Sequence, residues 1–271
     1  MVSQTPQSST DADETLNQAV ARVMSEAKDW TRILSLGGDA TITVYLDMKS
    51  PHAYIAVRPS LELARDFSVK LDFRPYTLSY TGMGISTSVD NNKRQPPSAE
   101  SDRRARMFYA AARQYTALQR IPLRSPVRLL DAQLAHRTFL FAKKQGLEVH
   151  FMMSVCLRGW GSGWREVEIE SLDQMRDTLS SLGARLDGFE EFVAPDGPGQ
   201  QELLQAMEDA HASGFVGTPH YVFDDIVTGR QVGLFGREHL ALIRSKLAAQ
   251  GLARNNQVQA EFSHAWRGPG T

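Results

Sequence analysis

Cysteine is the scarcest informative residue in this sequence. Cys156 is the only one among 271 residues, which excludes an intrachain disulfide, a Cys-x-x-Cys redox couple and a zinc–thiolate cluster. A lone cysteine is typical of a reducing compartment, and we interpret Cys156 as a small buried hydrophobe. The seven histidines show no His-x-x-x-His or Cys/His ligand spacing, so no metal site is expected.

The sequence also lacks long apolar runs and an excess of either charge. No stretch approaches the ~18 apolar residues of a membrane-spanning helix, and residues 1–14 are polar and acidic, unlike a secretory signal. The 30 basic and 31 acidic residues leave a formal charge of -1, so neither nucleic acid nor a membrane surface is expected as a partner. We therefore expect a cytoplasmic protein in which any charged ligand is bound by individual side chains and not attracted by the overall charge.

Two motifs of common enzyme classes are missing. The glycine-rich run at 159–164 lacks the Lys-Ser/Thr of a phosphate loop, and no serine lies in a Gly-x-Ser-x-Gly elbow.

The 42% of hydrophobic residues are enough for one generous domain or for a domain with a sizeable insertion.

The apolar pattern predicts a β-α-β unit after an N-terminal extension. Residues 1–38 are expected to form a disordered tail and one amphipathic helix that stops at the glycine pair 37–38. Three elements then follow: a β-branched strand at 41–46, a helix from Pro51 to about Asp66 and an alternating strand at 69–73.

The pattern in the second half of the sequence predicts a series of helices followed by two strands and a last helix. A loop at 77–98 precedes a helical region at 99–182, which the glycine-rich run at 159–164 is expected to interrupt as a loop. The final elements are a helix at 200–212, strands at 220–223 and 230–233, and a helix after Gly236.

The order β-α-β, helices, β-β-α is the thioredoxin topology, an α/β fold, with an all-helical domain inserted and an N-terminal helix added. We place the thioredoxin-like domain at 39–76 and 213–251, the loop and helical insertion at 77–212, and a flexible tail at 252–271.

Three segments in this order carry a family resemblance. They are the run from Val44 through Ser50-Pro51 to Tyr54, the pair Ile121-Pro122 followed by Pro126, and Phe215 to Pro219 followed by Gly236 to Leu240. Together they resemble the DsbA-like branch of the thioredoxin superfamily, and within it the kappa-class glutathione transferases and the 2-hydroxychromene-2-carboxylate isomerases. The resemblance spans roughly residues 41–250.

The resemblance implies glutathione as cofactor and a serine, Ser50, where the attacking cysteine of the fold belongs. It implies that the Ser50 hydroxyl donates to the glutathione sulfur, that Thr218 pairs its backbone with the tripeptide before a cis Pro219, and that Gly236, Arg237 and Glu238 hold the γ-glutamyl end. Asn92 is implied as a further glutathione contact. His52 departs from the family's aromatic residue, and Arg237-Glu238 departs from its small or amide residue plus Asp.

The residues themselves leave alternatives open. Ser50 precedes Pro51 at a strand-to-helix junction, so it is either only a helix cap or also part of a helix end that favours a thiolate. His52 is either a general base or a surface histidine. Glu238 either pairs with the α-amino group of glutathione or complements its helix dipole.

Two substrate contacts are also candidates. Lys49 is either a solvated loop residue or the group that catches an anionic substrate. Trp160, with Trp164, either lines an apolar substrate pocket or packs the helical domain.

The first functional hypothesis is a glutathione-dependent isomerase or transferase acting on an aromatic or other apolar electrophile, with isomerisation favoured. Catalysis would rest on Ser50 and His52, and a homodimer built on the N-terminal helix is expected by analogy with kappa-like relatives. The alternative is a thioredoxin-fold module without chemistry that binds a peptide or protein partner beside the cis-proline.

Overall fold

The computed structural model describes residues 14–81, 89–90, 93–94, 98–126 and 128–258. The helices and strands within these ranges follow in chain order: α1 (Leu16–Met24), α2 (Ala27–Ser35), β1 (Ala40–Leu46), α3 (Pro51–Tyr54), α4 (Val57–Asp66), β2 (Val69–Pro75), β3 (Val89–Asp90), β4 (Lys93–Arg94), α5 (Ala99–Gln119), α6 (Gln133–Lys143), α7 (Glu148–Ser162), α8 (Leu172–Ser181), α9 (Phe189–Val193), α10 (Pro198–Ala212), β5 (His220–Asp225), β6 (Arg230–Phe235) and α11 (Leu240–Ala249). A 3-10 turn at Arg237–His239 precedes α11.

A four-stranded sheet in the order β2-β1-β5-β6 forms the centre of the fold. β1 runs parallel to β2 and antiparallel to β5, and β5 runs antiparallel to β6. The four predicted strands are confirmed, each longer by one or two residues. Their order is that of the expected thioredoxin fold, with α5 to α10 between its two halves.

Helices cover both faces of this sheet. Adjacent side chains of a strand point to opposite faces, and on β5 the Tyr221 hydroxyl contacts Ser60 of α4, 3.0 Å away. The next residue, Val222, packs in a cluster with Ala210 of α10. α4 and α10 therefore lie on opposite faces, which leaves the ends of the strands as the accessible rim of the sheet.

The N-terminal segment forms two helices where the sequence predicted one. Ser25 ends α1 by donating its hydroxyl to the Arg22 carbonyl, 2.6 Å away, and α2 restarts at Ala27. The break lets each helix bury its own apolar face, α1 against α7 and α2 against α4. The expected helix from Pro51 to Asp66 is likewise divided, into α3 and α4.

The predicted loop at 159–164 is wrong, because its first residues are the last turn of α7. Gly159 and Gly161 admit close packing within the helix. A Cβ on Gly159 would lie 2.5 Å from the Trp164 ring, and one on Gly161 would lie 2.2 Å from a Leu16 methyl. The helix ends at Gly163, where φ is 64°, so only this third glycine acts as a stop.

Residues 252–258, where we expected a flexible tail to begin, are bound to the body. The Ser68 N–H donates to the Leu252 carbonyl at 2.7 Å, the Arg254 N–H donates to the Asp66 carbonyl at 2.9 Å, and the Arg254 guanidinium binds the Ala64 carbonyl at 3.0 Å. The rest of that tail, and the expected tail before residue 14, lie outside the described residues. Within the described ranges, the helices are all too short or too polar to cross a membrane.

Candidate active site

Three of the predicted segments meet at one end of the sheet. β1 leads directly into the turn that carries Ser50, and Tyr45 of β1 pairs with His220 of β5. The antiparallel register therefore places Thr218 and Pro219 beside the start of that turn. His220 also pairs with Phe235 of β6, and the Gly236 N–H donates to the Pro219 carbonyl at 2.9 Å.

Ser50 is the N-cap of α3. Its Oγ accepts the Ala53 N–H at 3.3 Å, and the residue is 8% exposed. The cap uses a lone pair of the hydroxyl and leaves its proton free, since no acceptor for this proton occurs among the described residues. The capping role is confirmed, and it is compatible with donation to a ligand.

The turn before Ser50 is fixed by groups that the sequence patterns did not reveal. Asp47 is fully buried, and its Oδ1 accepts the Lys49 N–H at 3.0 Å while its Oδ2 accepts the Leu78 N–H at 2.7 Å. The Met48 N–H donates to Nε2 of His136 at 3.3 Å. These bonds give partners to backbone N–H groups that lie beyond the end of β1 and therefore have no partner in the sheet.

Thr218 keeps its main chain available at the same rim. The Thr218–Pro219 peptide bond is cis. Within the described part of the chain, neither the N–H nor the C=O of Thr218 enters a backbone hydrogen bond. Its Oγ1 is buried and has no partner there either. Buried polar groups are rarely left unpaired in native proteins, so this strand-like stretch fits the backbone of a bound peptide.

Gly236 and Glu238 form a small cradle beside Pro219. Gly236 has φ 107° and ψ 142°, a conformation that is essentially restricted to glycine. A Cβ at this position would lie 2.4 Å from the Glu238 carboxylate, so the carboxylate folds back over the Gly236 backbone. Glu238 is exposed and can reach an ammonium group.

Arg237 differs from its neighbours because it points inward. It is 1% exposed, and its guanidinium lies 4.0 Å from the ring centroid of Tyr115 on α5. A cation held over an aromatic face is partly stabilised there. Arg237 therefore fixes the 3-10 turn to α5 and is buried, contrary to the expectation of a direct cofactor contact, although its charge is close enough to contribute to the lowered pKa of His52.

His52 is half-buried on α3 and joins this group. Its Nε2 lies 3.2 Å from the Phe108 carbonyl, and a carbonyl only accepts, so Nε2 carries a proton and Nδ1 holds the lone pair of the neutral ring. Burial lowers the pKa of His52, opposed in part by the Phe108 carbonyl and the charge of Glu238. The imidazole is thus a neutral base near pH 7.

The side chain of Lys49 is oriented inward and is paired within the protein, whereas we expected it to be solvated or to bind an anionic substrate. Its ammonium donates to the Leu78 carbonyl at 2.6 Å, lies 3.7 Å from Asp47 Oδ2 and sits 4.8 Å from the Tyr80 ring centroid. The buried carboxylate of Asp47 draws the ammonium inward, because an isolated buried charge is costly. Lys49 lines a cavity of about 590 Å³ whose walls do not include Ser50.

Trp160 is a core residue. It lies in α7 with no exposed surface, and its ring stacks at 6.4 Å on Tyr54 and meets Trp164 edge-on at 5.4 Å. The expectation that it lines a substrate pocket fails because the helix continues where a loop was predicted. Asn92 lies outside the described residues.

Cys156 is fully buried, with Sγ 3.9 Å from the Met48 carbonyl. Burial, with the nearby Asp47 charge, raises the pKa of its thiol far above the usual value. Across the described ranges, no group of three or more His, Cys, Asp or Glu side chains is placed to hold a metal ion.

The sequence matches the DSBA-like thioredoxin domain family over residues 41–248. It is 23% identical over 207 residues to a 2-hydroxychromene-2-carboxylate isomerase of Sphingobium xenophagum, covering 76% of this chain and 97% of that protein. A solved 2-hydroxychromene-2-carboxylate isomerase structure is similar with a TM-score of 0.60 at 16% identity, over 78% of this chain and 96% of that one. The cytosolic disulfide reductase DsbM from Pseudomonas aeruginosa with GSH gives a TM-score of 0.52 at 15% identity, over 78% of this chain and 97% of that one.

Proposed function

Because this chain belongs to the DSBA-like thioredoxin domain family, we propose that it is a glutathione-dependent isomerase of an aromatic or other apolar electrophile. The observation that carries the proposal is the meeting of three groups at one rim of the sheet. These groups are the free hydroxyl proton of Ser50, the unpaired backbone of Thr218 and the carboxylate of Glu238 over Gly236. They match in kind the thiol, the peptide backbone and the α-amino end of one tripeptide.

Each group has a physical role in holding that ligand. Thr218 offers one N–H and one C=O to an extended peptide, as an unpaired strand does. Glu238 neutralises the α-amino group, and the missing Cβ of Gly236 leaves the room that the Glu238 carboxylate occupies. Ser50 donates its hydroxyl proton to the sulfur, which favours the charged form of the thiol.

Bound glutathione would supply a nucleophilic thiolate, which is the reactive form of a thiol. His52 holds its lone pair on Nδ1 in a neutral ring, so it accepts a proton from the substrate and returns it. The thiolate adds to the electrophilic carbon of the substrate and is expelled again after the rearrangement, so glutathione is regenerated. The proton that His52 takes from one position and returns to another keeps the product an isomer of the substrate.

Dithiol exchange is not part of this proposal, although a disulfide reductase shares the fold. Exchange needs an attacking thiolate, and the single cysteine of this sequence is buried with a raised pKa. Two relatives named as 2-hydroxychromene-2-carboxylate isomerases favour isomerisation over conjugation. The DsbM structure was solved with GSH, which supports the capacity of this fold to hold the tripeptide.

Calorimetric titration tests the site directly. We expect glutathione to bind with 1:1 stoichiometry, and γ-glutamylcysteine, which keeps the thiol and the γ-glutamyl end, to bind more weakly. Absence of binding by reduced glutathione, with the protein folded, would overturn the proposal. In that case a partner peptide beside Thr218 would become the better hypothesis.

A second experiment separates isomerisation from conjugation. The protein is incubated with 2-hydroxychromene-2-carboxylate and limiting glutathione, and the free thiol and the product mass are followed. An isomerase turns over many equivalents of substrate with unchanged mass and unchanged thiol. Consumption of one thiol per product would identify a transferase.

A further inference from the structure

We propose that His136, on α6, is a positioning residue for Ser50 and acts as the neutral imidazole with its proton on Nδ1. This inference rests on the proposed function, since it concerns how the thiolate-stabilising hydroxyl is held in place. His136 has no exposed surface, and no sequence motif marks it. Its two ring nitrogens connect the turn before Ser50 to the segment after β2.

The turn at 47–50 depends on His136 for one of its hydrogen bonds. Its three consecutive N–H groups each have an acceptor: Met48 donates to His136 Nε2 at 3.3 Å, Lys49 to Asp47 Oδ1 at 3.0 Å and Ser50 to the Asp47 carbonyl at 2.9 Å. Two of these acceptors belong to Asp47, inside the turn itself. Among the acceptors of these three N–H groups, only His136 lies outside the turn, while Asp47 and Lys49 tie the same turn to Leu78 through their side chains.

The geometry selects one tautomer. A backbone N–H binds only a ring nitrogen with a lone pair, so Nε2 is unprotonated and the proton resides on Nδ1. Nδ1 lies 2.7 Å from Thr77 Oγ1, which accepts that proton. The competing arrangement has the proton on Nε2, which lies 3.4 Å from Asp47 Oδ1, and it would leave the buried Met48 N–H without an acceptor.

The hydrogen bond from Met48 to His136 affects the proposed chemistry because the backbone of Met48 helps to set the position of Ser50. Ser50 follows Met48 by two residues, and its Oγ must be held at hydrogen-bond distance from the ligand sulfur. Small displacements of a positioned group are costly to catalysis. Loss of the His136 acceptor should therefore weaken the action of Ser50 even though Ser50 itself is unchanged.

The variants are His136→Leu, which removes both nitrogens, and His136→Gln, whose side-chain oxygen can accept the Met48 N–H. His150→Leu is the matched control. His150 is also a buried helical histidine, but it binds the Ala27 carbonyl at 2.9 Å and Thr31 Oγ1 at 3.0 Å, in the N-terminal extension. Both leucine variants lose buried hydrogen bonds, and only one of them touches the Ser50 turn.

Two measurements need no glutathione. Two-bond ¹⁵N–¹H spectra of the imidazole should show the Nδ1–H tautomer for His136, and the Met48 amide should lose hydrogen-exchange protection in His136→Leu but not in His150→Leu. An Nε2–H tautomer, or unchanged protection of Met48, would overturn the inference. Because these measurements use the free protein, they stand even if the protein fails to bind glutathione.

The remaining measurement addresses Ser50. In His136→Leu the thiol of bound glutathione should titrate at higher pH, and turnover should fall roughly ten- to a hundredfold while the glutathione Kd changes little. His136→Gln should restore most of the turnover, and His150→Leu should leave both properties as in the wild type. Equal losses in the two leucine variants would assign His136 a merely structural role.

Discussion

At the scale of single residues, the hydroxyl of Ser50 can serve two purposes. The Ser50 Oγ accepts the Ala53 N–H, while its proton remains available to a ligand. Sequence alone predicted the cap and, through the family resemblance, the ligand role. The structure shows why the two do not compete, since a hydroxyl accepts through its lone pairs and donates through its proton.

Ser50→Ala separates the two roles. Loss of the cap should cost about 1 kcal/mol of unfolding free energy. Loss of a donor to a charged acceptor, about 1.5–3 kcal/mol, should raise the pKa of bound glutathione by roughly one to two units. Ultraviolet titration of the bound thiolate measures the shift, and chemical denaturation measures the cap.

Ser171→Ala is the control for Ser50→Ala. Ser171 caps α8 in the same way, accepting the Gln174 N–H at 3.4 Å, so it should show the stability loss without the titration shift. Coinciding titration curves for wild type and Ser50→Ala, with glutathione bound in both, would leave Ser50 as a cap alone.

Glu238→Gln tests the α-amino contact. The variant keeps the shape of the side chain over Gly236 and removes its charge, so glutathione should bind roughly 3- to 30-fold more weakly. Asp224→Asn, at an exposed carboxylate on β5, removes the same charge elsewhere and should leave the affinity unchanged. Calorimetry measures the three affinities. Equal affinities for wild type and both variants would mean that Glu238 does not bind the γ-glutamyl end.

The residues that sequence reasoning missed share one property. Asp47 and His136 lie far apart in the sequence, and they come within 3.4 Å because α6 packs against β2, the neighbour of β1 in the sheet. A histidine within an apolar helix is a weak signal, since it is as easily a solvated residue as a buried one. Ser50, Thr218 and Glu238 could be proposed from the sequence because short-range motifs at the ends of elements mark them.

At the scale of elements, α5 is the most exposed helix beside the site. Among its side chains, only Ala112, Thr116 and Gln119 are buried, while Phe108 and Leu118 are 50% and 53% exposed. The Phe108 ring lies edge-on to His52 with centroids 5.6 Å apart. An aromatic face is therefore presented next to the candidate base.

Phe108→Ala should weaken the use of aromatic substrates. Stacking of a substrate ring on Phe108 is worth about 0.5–1.5 kcal/mol, so KM for an aromatic electrophile should rise roughly two- to tenfold with little change for an aliphatic one. The His52 bond is to the Phe108 carbonyl and survives the substitution. Leu118→Ala, equally exposed on the same helix, should change neither KM. Matching effects of the two variants would mean that Phe108 does not contact the substrate.

Element type was easier to predict than element breaks. The strands followed from β-branched alternation, but the glycines at 159 and 161 were interpreted as breakers when they serve close packing against Trp164 and Leu16. Whether a glycine ends a helix depends on what packs against it, which one sequence does not show. The misplacement of Trp160 follows directly from that error.

At the scale of the whole molecule, the N-terminal helices are part of the body. Trp30 and Ile33 of α2 have no exposed surface, so the apolar face that we expected to offer a dimer interface is buried within the chain. The Arg58 guanidinium, 3% exposed, binds Glu26 at 2.7 Å and the Gln119 carbonyl at 2.9 Å. This one side chain links the extension, α4 and the end of α5. The homodimer itself stays a prediction.

Glu26→Ala should therefore destabilise the whole fold. Removing the carboxylate of Glu26 takes the charged partner from the buried Arg58 guanidinium, which costs about 3 kcal/mol. Asp29→Ala breaks the exposed pair with Arg32 and should have no measurable effect. Urea denaturation should show a single transition that moves to lower urea only in Glu26→Ala, and an earlier, separate transition would mean that the extension unfolds on its own.

The thioredoxin fold of this chain holds its single cysteine in the interior, which leads to a prediction for the intact molecule. A thiol with an ordinary pKa of about 8.5 is roughly a quarter ionised at pH 8 and reacts readily, whereas burial keeps Cys156 protonated and away from reagents. We expect an aromatic disulfide reagent to modify the folded protein only at the rate of unfolding, and to react at once in denaturant. Reduction of insulin disulfides should be absent in wild type and Cys156→Ala alike. Fast modification of the native protein, or insulin reduction that disappears in Cys156→Ala, would contradict the assignment of the chemistry to a bound thiol and return it to the chain's own cysteine.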